Sequence, residues 1–313
     1  MTGSGHIGEG AYHVPVLCKA VLEGLVTDRS GTYVDGTVGG GGHTISILDA
    51  LEAAGRVFGI DQDPDAIAVC RARFSNERRF SLLEGNFGEM GRLLSEAGVE
   101  HVDGILLDLG VSSHQIDTPG RGFSYRADGP LDMRMDQTSD FTAGDFVNQA
   151  TESELAQTLR AFGEEPRSRK ISAAIVKARP VESTRDFADV VAGAVPPRDQ
   201  VKTLSRVFQA IRIRINNELD VLERTLFAAV DLLRPGGRIA VISYHSLEDR
   251  RTKLFFRSGN LKGIQVRDLY GNLLSPLRLV TRKPIVADDE ESRVNPRSRS
   301  ARLRIAERVA DIQ

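Results

Sequence analysis

Gly39-Gly40-Gly41-Gly42-His43 follows a short apolar run that ends on Asp35. Glycines at such a turn reach backbone angles closed to other residues and let a ligand approach the main chain. Amides at the start of a following helix can hold an anionic group. A second run, Arg56 to Ile60, ends on Asp61, about 20 residues past the glycines, where an acid accepts hydrogen bonds from ribose hydroxyls. A third ends on Asp108 and continues Leu109-Gly110-Val111-Ser112-Ser113; a fourth, Arg238 to Tyr244, runs into His245. The glycine turn and the ribose acid are common to nucleotide-bearing cofactors, so they do not separate a nicotinamide oxidoreductase from a methyltransferase. The glycines are contiguous, not spaced G-x-G-x-x-G, and with an acid at the acceptor end of the fourth strand this points to methyl transfer. Simpler readings stand beside these: a flexible glycine turn, Asp63 as a helix cap, and His245 as the cap of a helix starting at Ser246.

The elements that must position these residues follow from periodicity. Val14, Leu17, Val21, Leu22 and Leu25 recur at helical spacing and predict a first helix. Strands are predicted over 31–35, 56–60, 80–83, 104–107 and 238–244. Helices fall between them: one from the glycines through Leu51, one from Asp63-Pro64 to Phe74, one over 90–97. This alternation predicts an α/β fold with a doubly wound, mostly parallel sheet, whose ligands lie beyond the carboxyl ends of the strands. The pattern then breaks. Residues 112–139 read as a long loop, and helices around 152–162, 168–178 and 184–194 follow without a strand. The expected division is a disordered N-terminus (1–11), a sheet domain (12–115 plus 206–313) and an inserted helical domain (116–205). One long helix, 204–233, is predicted to lead back to the sheet and to stop at Pro235-Gly236-Gly237. Residues 301–309 read as a last strand, half of an antiparallel hairpin with a strand near 264–285.

Composition narrows the classes. No apolar stretch reaches the ~18 residues of a membrane span, and the Gly-rich start lacks the apolar core of a signal peptide. The two cysteines, Cys18 and Cys70, have no metal-like spacing. A disulfide framework and a metal site are therefore not expected, though the acidic run Asp288 to Glu291 can hold a cation weakly. A reducing cytoplasmic setting fits. The net charge of -2 is not that of a nucleic-acid binder. Two stretches are nonetheless basic: Arg206, Arg212, Arg214, Arg250, Arg251 and Lys253, then Arg293, Arg297, Arg299, Arg302 and Arg304. They read equally as phosphate contacts or as solvated surface.

Several blocks then carry a resemblance. They are Asp35-Gly36-Thr37-Val38-Gly39-Gly40-Gly41-Gly42-His43, Gly59-Ile60-Asp61-Gln62-Asp63-Pro64, Leu107-Asp108-Leu109-Gly110-Val111-Ser112-Ser113 and Arg121-Gly122-Phe123-Ser124. Asp128 to Met135, Phe208-Gln209-Ala210-Ile211-Arg212, His245-Ser246-Leu247-Glu248-Asp249-Arg250 and Asn295 to Ser300 continue them. In this order the chain resembles the MraW (RsmH) family of bacterial 16S rRNA (cytosine-N(4))-methyltransferases, from about Tyr12 to Val309. Between Arg257 and Val294 it departs from that pattern. The resemblance implies a class I S-adenosylmethionine methyltransferase sheet with an inserted helical domain for substrate recognition. It implies S-adenosyl-L-methionine as cofactor, held by Gly41, Gly42, His43, Asp61, Phe87, Asp108 and Gln115. The substrate implied is the exocyclic N(4) amine of a decoding-region cytosine in 16S rRNA of the small ribosomal subunit, and the enzyme is a monomer or homodimer.

A cytosine amine is a poor nucleophile, because its lone pair is delocalised into the ring. The site must align nitrogen, methyl carbon and sulfur and place an acceptor on the amine. Asp108 is the first candidate for this, His245 the second. Methylation at carbon 5 needs a cysteine nucleophile; neither Cys18 nor Cys70 is expected near the acceptor end of the sheet. Phe123 and Tyr125 can stack on an unpaired base or pack their own loop. Competing readings are a methyltransferase for a protein or small molecule, a non-catalytic RNA-binding module, and a nicotinamide oxidoreductase. Labelled S-adenosylmethionine or NAD separates the last from the rest.

Overall fold

The computed structural model describes residues 15–310. The expected disordered segment 1–11 and Val14 of the first predicted helix lie outside the described residues. In chain order the elements are α1 (Cys18–Leu25), β1 (Thr32–Asp35), α2 (Gly42–Ala50), β2 (Arg56–Asp61), α3 (Pro64–Arg73), β3 (Phe80–Glu84), α4 (Met90–Glu96) and β4 (Val102–Asp108). There follow α5 (Ser113–Asp117), α6 (Ala143–Gln149), α7 (Glu152–Gly163), α8 (Ser168–Ala178), α9 (Thr184–Gly193), α10 (Gln200–Asn216) and α11 (Glu218–Leu232). The chain ends with β5 (Leu233–Ser243), α12 (Ser246–Ser258), β6 (Leu277–Leu279), α13 (Asp289–Val294) and β7 (Arg302–Arg308). No helix among the described residues is long and apolar enough to cross a membrane.

The chain divides into two compact units. Among the described residues the first takes 15–61, 65–109 and 227–310, the second 62–64 and 110–226. In the first, the described strands form one sheet in the order β3-β2-β1-β4-β5-β7-β6. β1 to β5 run parallel, and β7 is antiparallel to both β5 and β6. Central strands covered on both faces read as continuous apolar runs, not as alternation. Ile105, Leu106 and Leu107 of β4 and Ile239 to Ile242 of β5 are all fully buried. The winding reverses between β1 and β4, which makes their carboxyl ends the switch-point crevice.

Two local readings need correction. The long helix expected over 204–233 is two helices, because Asn217 takes a left-handed conformation (φ 49°) and caps α10 through its amide to the Ile213 carbonyl. Asparagine is one of the few residues that visit this region readily. The helix does stop just ahead of Pro235-Gly236-Gly237, at Leu232, but that triplet lies inside β5, which starts at Leu233 and not at 238, and the pairing with β4 shifts register between Val102 and Gly104. The expected final strand is β7, and its hairpin partner is β6, within the range read from the sequence.

The second unit is helical. Four of its helices open with reciprocal capping boxes: Ser112 with Gln115, Thr142 with Asp145, Thr151 with Glu154 and Ser183 with Asp186. Each satisfies two amides that the first turn leaves without partners. The core joins Leu131, Phe146, Leu155, Leu159, Ile171 and Phe187 to Val207, Phe208 and Ile211 of α10. That packing draws α10 into the unit, which is why it runs to Leu226 and not to 205. The segment 112–139, read as a loop, holds the short helix α5 and a single 3-10 turn at Pro119–Arg121.

Candidate active site

Four of the five parallel strands deliver candidate polar residues at or just past their carboxyl ends in the first unit. Asp35 ends β1, Asp61 ends β2 and Asp108 ends β4, while Tyr244 and His245 follow β5. Phe87 sits half-buried in a 3-10 turn two residues beyond Gly85, past the end of β3. Parallel register places Asp108 opposite Ile242. This brings the end of β4 beside the residues that follow β5.

The glycine turn is pinned, not flexible. Gly39 (φ 50°) and Gly41 (φ 79°) are left-handed, and a Cβ at Gly41 would stand 2.6 Å from the Phe74 ring. The Gly39 amide donates to Asp61 Oδ2 at 2.8 Å, the Gly41 amide to the Val38 carbonyl at 2.7 Å and the Val38 amide to the Ile60 carbonyl at 3.0 Å. A dinucleotide fold leaves amides of this turn open to a pyrophosphate. Here three are already spent, one of them on a carboxylate, so the turn is a poor anion cradle. This geometry disfavours the nicotinamide reading independently of the glycine spacing.

Asp108, His43 and Tyr244 meet. The Tyr244 hydroxyl donates to Asp108 Oδ1 at 2.8 Å. His43 Nε2 lies 3.5 Å from Asp108 Oδ2, an ion-pair separation, and has no hydrogen-bond partner among the described residues. The Asp108 amide donates to Thr37 Oγ1 at 2.7 Å, which ties the end of β4 to the glycine turn. Burial and then the Asp108 charge push the Tyr244 phenol far above its ordinary value, so it remains a hydroxyl donor. Asp35 is fully buried and accepts from Thr44 Oγ1 at 2.7 Å; burial raises its carboxyl. For His43, burial alone favours the neutral ring. Asp108, the Cys18 thiol and the charge of Asp35 outweigh it and lift the imidazole to about 10.

That shift has a pH signature. The native state holds the His43 proton more tightly than the unfolded chain, whose imidazole titrates near 6.5. The stabilisation is complete below about pH 6.5 and is lost as pH rises through about 10. Urea midpoints should therefore fall between pH 6.5 and 9.5 in the parent and less steeply in His43→Gln. Equal slopes would remove His43 from the account.

Other expected residues are placed differently. His245 is the N-cap of α12. Its Nδ1 accepts from the Glu248 amide at 3.4 Å, and its Nε2 lies 3.0 Å from Glu248 Oε1. The ring offered as a second proton acceptor thus has its Nδ1 engaged by its own helix, while Nε2 faces Glu248 without a hydrogen bond among the described residues. His245→Asn, which keeps a capping acceptor, should retain stability and turnover, whereas His245→Ala should lose about 1 kcal/mol of stability. A large loss of turnover in His245→Asn at unchanged stability would return the ring to the chemistry.

Gln115 belongs to the second unit, where both ends of its amide are engaged. Its Nε2 donates to Asp63 Oδ2 at 2.7 Å, and its Oε1 accepts from the Ser112 amide at 2.9 Å. The two aromatic candidates for base stacking pack internally. Arg121 lies over the Phe123 ring, and Tyr125 meets Phe208 edge to face while sharing a hydrogen bond with Ser205. Much of the two basic stretches is ion-paired: Arg206 with Glu165, Arg212 with Glu218, and Arg302 and Arg304 with Asp249. The acidic run is used as well. Asp288 caps α13, and Glu291 accepts from the Leu17 amide at 2.7 Å.

The cysteines are a further correction. The Cys18 thiol interacts with His43, which lowers it against the effect of burial. Cys70 Sγ lies 3.1 Å from the Gly39 carbonyl, and burial pushes this thiol up to about 12. Both therefore border the glycine turn. Tyr244, Thr37 and Cys18 were missed as site residues. The available signal for Tyr244 was its position just past a strand that neighbours β4.

A model described as the MraW methylase family matches residues 10–309. The Ribosomal RNA small subunit methyltransferase H of Bacteroides thetaiotaomicron is 46% identical over 303 residues, covering 96% of this chain and 98% of its own. A protein of the same name from Chlorobium luteolum is 48% identical over 325 residues, covering 97% and 98%. Another from Geobacter sulfurreducens is 47% identical over 307 residues, covering 95% and 99%.

Proposed function

The chain belongs to the MraW methylase family, and from that premise we propose that it methylates small-subunit ribosomal RNA, using S-adenosyl-L-methionine, at the exocyclic N(4) amine of a decoding-region cytosine in 16S rRNA. The single observation that carries the chemistry is the Asp108 carboxylate, held by Tyr244 on one oxygen and faced by His43 on the other.

The residues present fit the cofactor. Acceptors at Asp61 and Asp108 suit ribose hydroxyls and cationic groups, and the half-buried Phe87 offers an aromatic wall for adenine. His43, whose Nε2 faces Asp108, is assigned to the cofactor by family resemblance. Gly41, Gly42 and Gln115 are assigned there on the same ground. When bound, the cofactor supplies a methyl carbon made electrophilic by its sulfonium.

The protein's part is alignment and hydrogen bonding. A carboxylate offers about four lone-pair sites. Tyr244 and His43 address two of them, which leaves capacity for an amine donor. A cytosine amine donating to Asp108 has its lone pair drawn out of ring conjugation, and the nitrogen gains nucleophilicity. His245 has no step here, because it caps α12. We assign substrate recognition to the helical unit and extrusion of the target base to the approach of the RNA.

The test is methyl transfer from labelled cofactor to small ribosomal subunits lacking the modification, with the product nucleoside identified by mass spectrometry. N(4)-methylcytidine at one site is the expected product. 5-Methylcytidine would move the chemistry to Cys18, and no transfer to any RNA would return the search to protein or small-molecule acceptors.

A further inference from the structure

One stretch, which overlaps the start of the segment that departs from the family's pattern, is strongly cationic. Between Arg250 and Lys283 lie nine cations (Arg250, Arg251, Lys253, Arg257, Lys262, Arg267, Arg278, Arg282 and Lys283) and one acid, Asp268. Arg250, Lys253 and Arg257 are exposed and spaced by three and four residues, so they share one face of α12. That helix starts beside Tyr244 at the site and runs away from it for 13 residues, about 20 Å at 1.5 Å per residue.

At its far end the chain turns through Gly259 (φ 68°) into an excursion that returns at β6. β6 starts opposite Arg308, at the edge of the sheet away from the site. The tip of the excursion is built rigidly. Asp268 Oδ1 accepts from the Tyr270 and Asn272 amides at 2.8 Å each, and Oδ2 accepts from Asn272 Nδ2 at 2.9 Å. Arg267 donates to the Gly271 carbonyl at 2.6 Å, and Arg267 bridges to Leu273. The single acid is therefore committed to holding the turn. What the turn presents is Leu269 at 101% and Tyr270 at 91% exposure, the two most exposed large hydrophobic side chains among the described residues. Ile264 and Val266, also exposed, extend the apolar surface.

An ordered aromatic held in water, approached along a cationic helix face, suits one partner chemistry. Phosphates satisfy the cations, and any unpaired base offers a flat face to a ring. A protein partner would ask for acidic side chains along the helix and gives no reason for a lone ring at the tip. We propose that the exposed face of α12 and the 260–275 hairpin form a second contact for the RNA substrate, remote from the methylated base, with the backbone tracking Arg250, Lys253 and Arg257 and a base stacking on Tyr270. The inference rests on the RNA reading above and adds to it where the RNA is gripped.

The experiment measures methyl transfer to unmodified small subunits over a range of salt, with thermal midpoint and cofactor binding as folding controls. Tyr270→Ala is expected to lower kcat/KM about tenfold through KM, and Tyr270→Phe, which keeps the ring face, to restore it. Lys253→Ala with Arg257→Ala should reduce the slope of log KM against log salt by about two phosphates' worth. A KM and salt slope equal to the parent's in all these variants would overturn the contact while leaving RNA methylation intact. A change in self-association of Tyr270→Ala with unchanged KM would assign the tip to a second copy of the chain and overturn it too. Failure of the parent to bind or methylate any RNA is a separate outcome, which removes the RNA reading and this inference with it.

Discussion

Asp108→Asn is expected to slow methyl transfer by about 10²- to 10⁴-fold at saturating cofactor and RNA. The substitution keeps the size of the side chain, and its carbonyl oxygen can still accept from Tyr244. The second oxygen becomes an amide donor, facing a His43 ring that is itself a donor at 3.5 Å. Two consequences follow together. The cytosine amine loses the charged acceptor that makes its nitrogen nucleophilic, and the imidazolium loses the carboxylate that keeps it charged. Asp61→Ala provides the contrast. It removes an acceptor for ribose and frees the Gly39 amide, so it should chiefly raise the KM for the cofactor. Initial rates at varied cofactor and RNA separate the two effects. Parent-like turnover in Asp108→Asn would sink the assigned role.

Arg121→Ala is expected to destabilise the second unit by about 3–5 kcal/mol. Both side chains of the Arg121–Asp63 pair are almost fully buried, at 7% and 4% exposure, and Arg121 reaches both Asp63 oxygens at 3.1 and 2.8 Å. Removing the guanidinium leaves a buried carboxylate that keeps the neutral Gln115 donor but loses its cation. It also releases the carbonyls of Arg134 and Met135, which Arg121 holds at 3.0 and 3.3 Å. The loop over 122–139 should then become an early site of proteolysis. A double-mutant cycle with Asp63→Ala should show strong coupling in urea unfolding. Additive effects would mean that the pair contributes nothing beyond its separate contacts.

The parts of the fold that were legible share one property: the local pattern and the tertiary environment agree. Buried parallel strands read as apolar runs, three of them closing on an aspartate, so Asp35, Asp61 and Asp108 fell at the right edge without knowledge of the sheet order. The helical insertion announced itself through successive helical segments, around 152–162, 168–178 and 184–194, with no strand between them. What stayed hidden depended on context. Asn217 breaks a helix by a backbone angle that composition does not reveal. His245 is chemically able to move a proton and is instead engaged by an amide three residues on. Tyr244 looked like the tail of a strand until register put Asp108 beside it. Cys18 reached the site because α1 packs next to α2, a long-range contact with no local signal.

The strand order carries a consequence for the chain while it is being made. β5 lies between β4 and β7, and β7 follows β5 by more than 50 residues in the chain, pairing with it from Arg238 to Ser243. Until Arg302 to Arg308 has emerged, one edge of β5 carries open hydrogen-bonding groups beside Ile239, Val241 and Ile242, which are fully buried in the finished fold. Such an edge is a template for pairing with other chains. The helical unit, complete by Leu226, is under no such restraint. Biosynthesis thus leaves the sheet sticky until β7 has emerged, and a ribosome that stalls or a nonsense codon just short of β7 releases an aggregating species rather than a weakened enzyme.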